Sequence, residues 1–68
     1  MMVVFKNRSR NGGGWAIAVD FERRTFMRGW YLCTNIHGAI VIEGVARSKI
    51  DEIQEACEDQ GFTGVDRL

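Results

Sequence analysis

The sequence contains no proline and only two cysteines, Cys33 and Cys57, among its 68 residues. Because it also lacks repeats and low-complexity stretches, nothing marks a linker, and we expect a single domain over residues 1–68. A secreted disulfide scaffold of this size usually carries at least about four cysteines. The low count therefore predicts reduced thiols in the apolar core of a cytoplasmic protein.

Long apolar runs and an excess of one charge are absent as well. No stretch approaches the ~18 apolar residues of a membrane-spanning helix, and the first residues lack the basic and apolar pattern of a secretory signal. Nine basic and nine acidic residues give a formal net charge of zero. We therefore expect no membrane partner, and the overall charge gives no case for a nucleic-acid partner.

The zero net charge hides an asymmetry along the chain. The stretch from Lys6 to Trp30 holds six basic and two acidic residues, a formal charge of +4. The stretch from Glu43 to Leu68 holds three basic and seven acidic residues, a formal charge of −4. Because the two halves are complementary, the basic strands of one copy could meet the acidic half of another.

Short stretches with strand character fill most of the first two thirds of the sequence. Around Ala16 and Ala18, large apolar residues alternate with small or polar ones, which is the period of a half-buried strand. The charged residues Glu22 to Arg24 suit a tight turn. The predicted strands are Met2–Lys6, Trp15–Phe21, Thr25–Thr34 and Ala39–Ala46, the last being apolar enough for the centre of a sheet.

The third predicted strand carries a charge that fits its face poorly. Phe26, Arg28 and Trp30 would share one side of this strand, with Met27 on the other. An arginine among aromatic residues suggests that Gly29 marks a β-bulge that changes the register.

One amphipathic helix is predicted over Ser48–Phe62. Ser48 is the candidate N-cap, with Asp51 three residues later as in a capping box. Gly61 fits the left-handed residue that ends a helix, with Phe62 folding back over Cys57. The apolar stripe consists of Ile50, Ile53, Ala56, Cys57 and Gln60, and the acidic residues lie largely off it.

These elements predict an α+β fold, an antiparallel meander of three to four strands with one C-terminal helix packed on one face (β-β-β-β-α). A single helix covers only one face of the sheet, so the remaining aromatic strand residues predict that a partner buries the other face. In a chain this short, the entropy cost of folding nearly equals the free energy gained by burying the core. This also favours a homodimer, because a dimer buries more apolar surface per chain.

The residues that could carry catalysis or ligand binding do not form a recognisable site. The glycines Gly12 to Gly14 lead into a strand, whereas a phosphate-binding loop leads into a helix. Cys33, His37 and Cys57 lack the fourth ligand and the paired short spacings of a structural zinc site. No carboxylate is placed to orient a Cys33–His37 nucleophilic pair. We expect no catalytic residue, no metal and no cofactor.

The leading hypothesis is a non-enzymatic interaction or regulatory module that self-associates through a sheet face or an edge strand. The terminal segment after Phe62 is a candidate edge strand in such a dimer. The predicted interface residues are Phe26, Trp30, Glu55, Glu58 and Asp59.

The alternative hypothesis is a nucleic-acid-binding domain that uses the basic strands and the Arg/Gly segment around Gly12. Arginines neutralise phosphates, and aromatic rings stack on bases. The residues assigned to this function are Arg8, Arg10, Arg23, Arg24, Arg28, Trp30 and Tyr31.

Overall fold

The computed structural model describes residues 1–7, 15–29 and 37–68. Over these residues it confirms the α+β class, with one helix packed on a sheet whose strands number five. The strands are β1 (Met2–Lys6), β2 (Ala16–Asp20), β3 (Thr25–Gly29), β4 (Ile40–Ile42) and β5 (Thr63–Gly64), and the helix is α1 (Arg47–Asp59).

The sheet is mixed, with the strand order β4-β1-β2-β3-β5. The first three strands form the predicted antiparallel meander. The fourth does not continue it, because β4 pairs parallel to β1 and β5 pairs parallel to β3. The predicted central strand over residues 39–46 is therefore a three-residue edge strand, which stops before Gly44, where the backbone is left-handed with φ of +73°.

The turn between β2 and β3 forms as predicted at the charged residues. One carboxylate oxygen of Asp20 accepts hydrogen bonds from the backbone N–H groups of Glu22 and Arg23, each at 3.0 Å. Arg24 completes the turn with φ of +56°. The pairing of β2 with β3 then runs without interruption from Thr25 to Gly29. The register change predicted at Gly29 would affect the residues from Trp30 onwards, which lie outside the described residues, so it stays a prediction.

The main core lies between the sheet and α1. Strand pairing places alternate residues of β2 and β3 on one face, where the helix covers them. The buried members are Ile17, Val19, Phe26, Ile50 and Cys57, and Phe5, Trp15, Val45, Ile53 and Phe62 pack against them half-buried. The predicted apolar stripe of the helix is confirmed at Ile50, Ile53 and Cys57, whereas Ala56 and Gln60 are exposed.

A second cluster fills the centre of the opposite face, which we call the second face. Val4, Ala16 and Ala18 are at most 2% exposed there within the single chain. Met27, Ala39 and Val41 pack against them. The centre of this face is therefore buried within the single chain. Association through this face stays a prediction, because Trp30 and Tyr31 lie outside the described residues.

The helix begins and ends with different capping chemistry. Ala46 is the N-cap, and its carbonyl accepts the N–H of Ile50 at 3.1 Å, so the prediction of Ser48 at this position is wrong. The backbone at Ala46 is extended, with φ of −64° and ψ of 147°, so the helix begins at the next residue. The predicted C-terminus is confirmed: Gly61 has φ of +83°. Phe62 donates its N–H to the Cys57 carbonyl at 2.8 Å, as in a Schellman motif.

Candidate interaction surface

The exposed edge of β4 is the most distinctive surface among the described residues. Ile40 is 49% exposed and Ile42 is 43% exposed, although both are large aliphatic residues in a strand. Within the described part of the chain, β4 ends the sheet and pairs only with β1. We define the β4 edge patch as Ile40, Ile42 and the outer edge of β4.

The position of the helix explains why this patch is uncovered. Strand register puts Ile40 beside Val3 and Ile42 beside Phe5, so both isoleucines share the sheet face that α1 covers. The helix packs over β2 and β5. The apolar rows on this face therefore continue past the area that α1 shields and end in water at β4.

Apart from its short length of three residues, β4 lacks the features that protect an exposed edge. Natural sheets block exposed edges with lysine, proline, bulges or very short strands. The residues of β4 carry no charge, and each is β-branched. The opposite edge differs, because β5 has only two residues and is followed closely by Asp66 and Arg67. Of the two edges, β4 is the one suited to accept another strand.

Arg28 makes an ion pair and a hydrogen bond within the fold. It lies on the helix face of β3, where its guanidinium forms an ion pair with Asp51 at 2.6 Å and donates to the Gln54 side-chain oxygen at 2.8 Å. Its charge also lies 5.3 Å from the ring centre of Trp15, and Arg47 lies over the same ring at 4.9 Å. These contacts resolve the apparent misfit of an arginine on an apolar face.

Arg24 is likewise engaged, at the other end of β3. Its guanidinium donates to the Gln60 carbonyl and lies 4.8 Å from the ring centre of Phe62. Arg23 is exposed in the same turn. Arg28 therefore binds side chains in the body of α1 and Arg24 binds its C-terminal end, instead of both converging on an open sheet surface.

The remaining residues assigned to nucleic-acid binding, Arg8, Arg10, Trp30 and Tyr31, lie outside the described residues. Of the three described arginines in that set, two make their contacts within the chain. Nucleic-acid binding therefore stays a prediction from the sequence, and the arrangement of the described arginines adds no support to it.

The predicted interface residues are scattered over the fold. Phe26 is a core residue at 6% exposure, so it does not present a surface to a partner. Glu55, Glu58 and Asp59 are exposed on α1, and Trp30 lies outside the described residues. The sequence reasoning missed Ile40 and Ile42, although the two glycines flanking this short aliphatic run were a signal that it is an isolated strand.

Cys57 and His37, the described thiol and imidazole groups, differ in exposure. Cys57 is a buried free thiol on α1, and burial raises its pKa, with the charge of Glu58 adding to the effect. His37 is exposed in the turn before β4. Across the described residues no three His, Cys, Asp or Glu side chains group as metal ligands. The helix described, α1, is too short and too polar to cross a membrane.

Comparisons with known protein families, with curated proteins and with solved structures found no match to this chain. The function must therefore be argued from the geometry of the surface itself.

Proposed function

We propose that this protein is a non-enzymatic interaction module that self-associates through the β4 edge patch. The observation that carries the proposal is the exposure of Ile40 and Ile42 on a strand with an open edge. An added strand would continue the sheet through backbone hydrogen bonds and would bury both side chains. Each isoleucine contributes roughly 1–2 kcal/mol if an interface fully removes its exposed half from water.

Two further observations support association at this edge over other surfaces. The centre of the second face is buried by the chain's own residues. The basic and acidic halves of the sequence meet within the chain through Arg28 and Asp51, so their complementarity is partly used in folding. Among the described strands and the helix, β4 is the element that exposes large apolar side chains.

The free thiol of Cys57 in the core supports a reducing, cytoplasmic location as part of the same proposal. A buried thiol that packs as a small apolar residue needs no oxidising compartment for the fold to form.

Sedimentation velocity at several micromolar concentrations tests the proposed function. An edge contact of this size falls at or below the ~1,200 Å² lower end of specific interfaces, so we expect a reversible dimer with micromolar affinity. Replacing Ile42 with lysine should shift the protein to monomer, because a charge blocks an edge strand. Leu68→Lys is the matched control, since Leu68 is also an exposed aliphatic residue, 41% exposed, but lies beyond β5.

A wild-type chain that stays monomeric to about 100 μM would contradict the proposed function, since specific weak complexes associate below that concentration. Equal dimerisation of the wild type and the Ile42→Lys variant would place the contact elsewhere. Far-UV circular dichroism of each variant confirms that the fold is retained in the comparison.

A further inference from the structure

The β4 segment is nearly symmetric in sequence about Val41. Ile40 and Ile42 flank this residue, and Gly38 and Gly44 lie at equal distances on either side. Both glycines have left-handed backbones, with φ of +78° and +73°. Because extended chain stops at a left-handed residue, the segment that can pair with another strand is centred on Val41.

We propose that a second copy of this chain occupies the β4 edge patch, with the two β4 strands antiparallel and Val41 opposite the partner's Val41. This inference rests on the proposed function and specifies its geometry. A closed two-fold contact uses the same surface on both copies. A nearly symmetric segment meets that requirement in one register, in which every residue between the two glycines has an opposite residue.

The exposed isoleucines match each other in this register. Ile40 lies opposite the partner's Ile42, and Ile42 lies opposite the partner's Ile40. All of them lie on the helix face of the joined sheet, because alternate residues of a strand share a face. Directly opposed β-branched pairs are a stabilising contact between antiparallel strands. The contact therefore covers the side chains that a single copy leaves about half exposed.

The polar side chains at the ends of the segment favour a second copy in the antiparallel direction. His37 precedes β4 and Glu43 follows it, and both are exposed. Antiparallel pairing brings His37 towards the partner's Glu43. It also separates the two Glu43 carboxylates by about four residues, roughly 13 Å along the strand. Parallel pairing would set like groups beside each other, which is unfavourable.

Disulfide trapping tests the register. The native cysteines are first replaced (Cys33→Ser, Cys57→Ala), and Val41→Cys or Ile42→Cys is added to that background. Directly opposed residues have Cα atoms about 4.5–5.5 Å apart, within the disulfide range, whereas diagonal ones are about 7–8 Å apart. We expect Val41→Cys to form a cross-linked dimer at least about tenfold faster than Ile42→Cys.

A mixture of Ile40→Cys and Ile42→Cys chains adds a check within the same experiment, because it should yield mainly the mixed disulfide. Cross-linking of Ile42→Cys that equals or exceeds that of Val41→Cys, in a protein that sediments as a dimer, would overturn the register while leaving self-association intact. A monomeric wild-type protein would instead overturn the proposed function.

Hydrogen exchange on the unmodified chain keeps the inference testable if the cysteine-free background does not fold. The proposed pairing predicts that amide protection of residues 40–42 increases with protein concentration, whereas protection of Thr63 and Gly64 at the other edge does not. Concentration-dependent protection confined to any other segment would contradict pairing at β4.

Discussion

At the scale of single residues, Arg28 shows how a charged side chain is accommodated on an apolar sheet face. Its side chain is 21% exposed and has three kinds of contact: an ion pair with Asp51, a hydrogen bond to Gln54 and the ring of Trp15. Each is a weak interaction when exposed, but a partly buried guanidinium makes all three at once. The side chain thus links β3, α1 and Trp15, the residue that precedes β2.

We expect Arg28→Met to lower the free energy of unfolding by about 1–2 kcal/mol, because methionine keeps the apolar stem but loses the ion pair and the cation–π contact. Chemical denaturation of the monomeric Ile42→Lys background measures this without a contribution from association. Arg23→Met is the control, since Arg23 lies exposed in the turn, and its effect should stay within about 0.5 kcal/mol. Equal losses at the two sites would show that the observed contacts of Arg28 do not stabilise the fold.

Cys57 predicts a loss of stability in alkaline solution. Burial raises the pKa of its thiol in the folded state above the ordinary value of 9.0. The folded protein then holds this proton more tightly than the unfolded chain does. Its contribution to stability is complete below the unfolded pKa and is lost as the pH rises through the folded pKa.

The measurement is the difference in unfolding free energy between wild type and Cys57→Ala from pH 7 to pH 10. The wild type should lose more stability than the variant over this range. Other groups titrate in both proteins and cancel in the comparison. A pH-independent difference would contradict a perturbed thiol at Cys57.

At the scale of secondary-structure elements, the sequence predicts features that depend on neighbouring residues better than it predicts strand pairing between distant residues. The strand around Ala16 and Ala18 and the left-handed Gly61 depend on neighbouring residues, and both predictions are confirmed. The alternation predicted a half-buried strand, however, and β2 is buried on both faces. The pairing of β4 with β1 depends on residues about 37 positions apart, such as Val3 and Ile40, and no local pattern encodes it. The candidate surface was missed for this reason, because an apolar strand looks the same at the centre and at the edge of a sheet.

The N-terminus of α1 offers a stabilising substitution. Ala46 already has the extended backbone of an N-cap but has no side-chain acceptor there. Ala46→Asp should raise the unfolding free energy by about 0.5–1 kcal/mol, because the carboxylate can accept an N–H of the first turn. Thermal unfolding should show an increase in Tm of a few degrees.

Ser48→Ala distinguishes the observed helix boundary from the one that the capping pattern predicts. Ser48 lies inside the first turn, so its replacement should change the unfolding free energy by less than about 0.5 kcal/mol. A loss of about 1 kcal/mol or more, with no gain from Ala46→Asp, would place the cap at Ser48 instead.

At the scale of the whole molecule, the opposite charges of the two halves of the sequence meet across the sheet and the helix. Arg28 on β3 pairs with Asp51 on α1, and Arg24 binds the carbonyl end of the same helix. Part of the attraction between the basic and acidic halves of the sequence is therefore used in contacts within the folded chain. The exposed apolar side chains of the sheet lie at β4.

Association at β4 should appear in global stability as well as in sedimentation. A contact made only by folded chains stabilises them by mass action, so the Tm of the wild type should rise with protein concentration. The Ile42→Lys variant should have a Tm that does not depend on concentration, and Leu68→Lys should behave like the wild type. Differential scanning calorimetry over a hundredfold range of concentration makes this comparison. A wild-type Tm that is constant over that range would contradict linked association.

The strand order also sets the sequence of events during folding. The strands β1, β2 and β3 are joined by consecutive antiparallel pairings, whereas β4 and β5 must close long loops before they pair. Until β4 docks, the edge of β1 from Val3 to Phe5 is open, and open strand edges are sites of aggregation. Docking of β4 therefore closes the exposed edge of β1 within the same chain. Loss of this strand would leave the edge of β1 open to pairing with other chains.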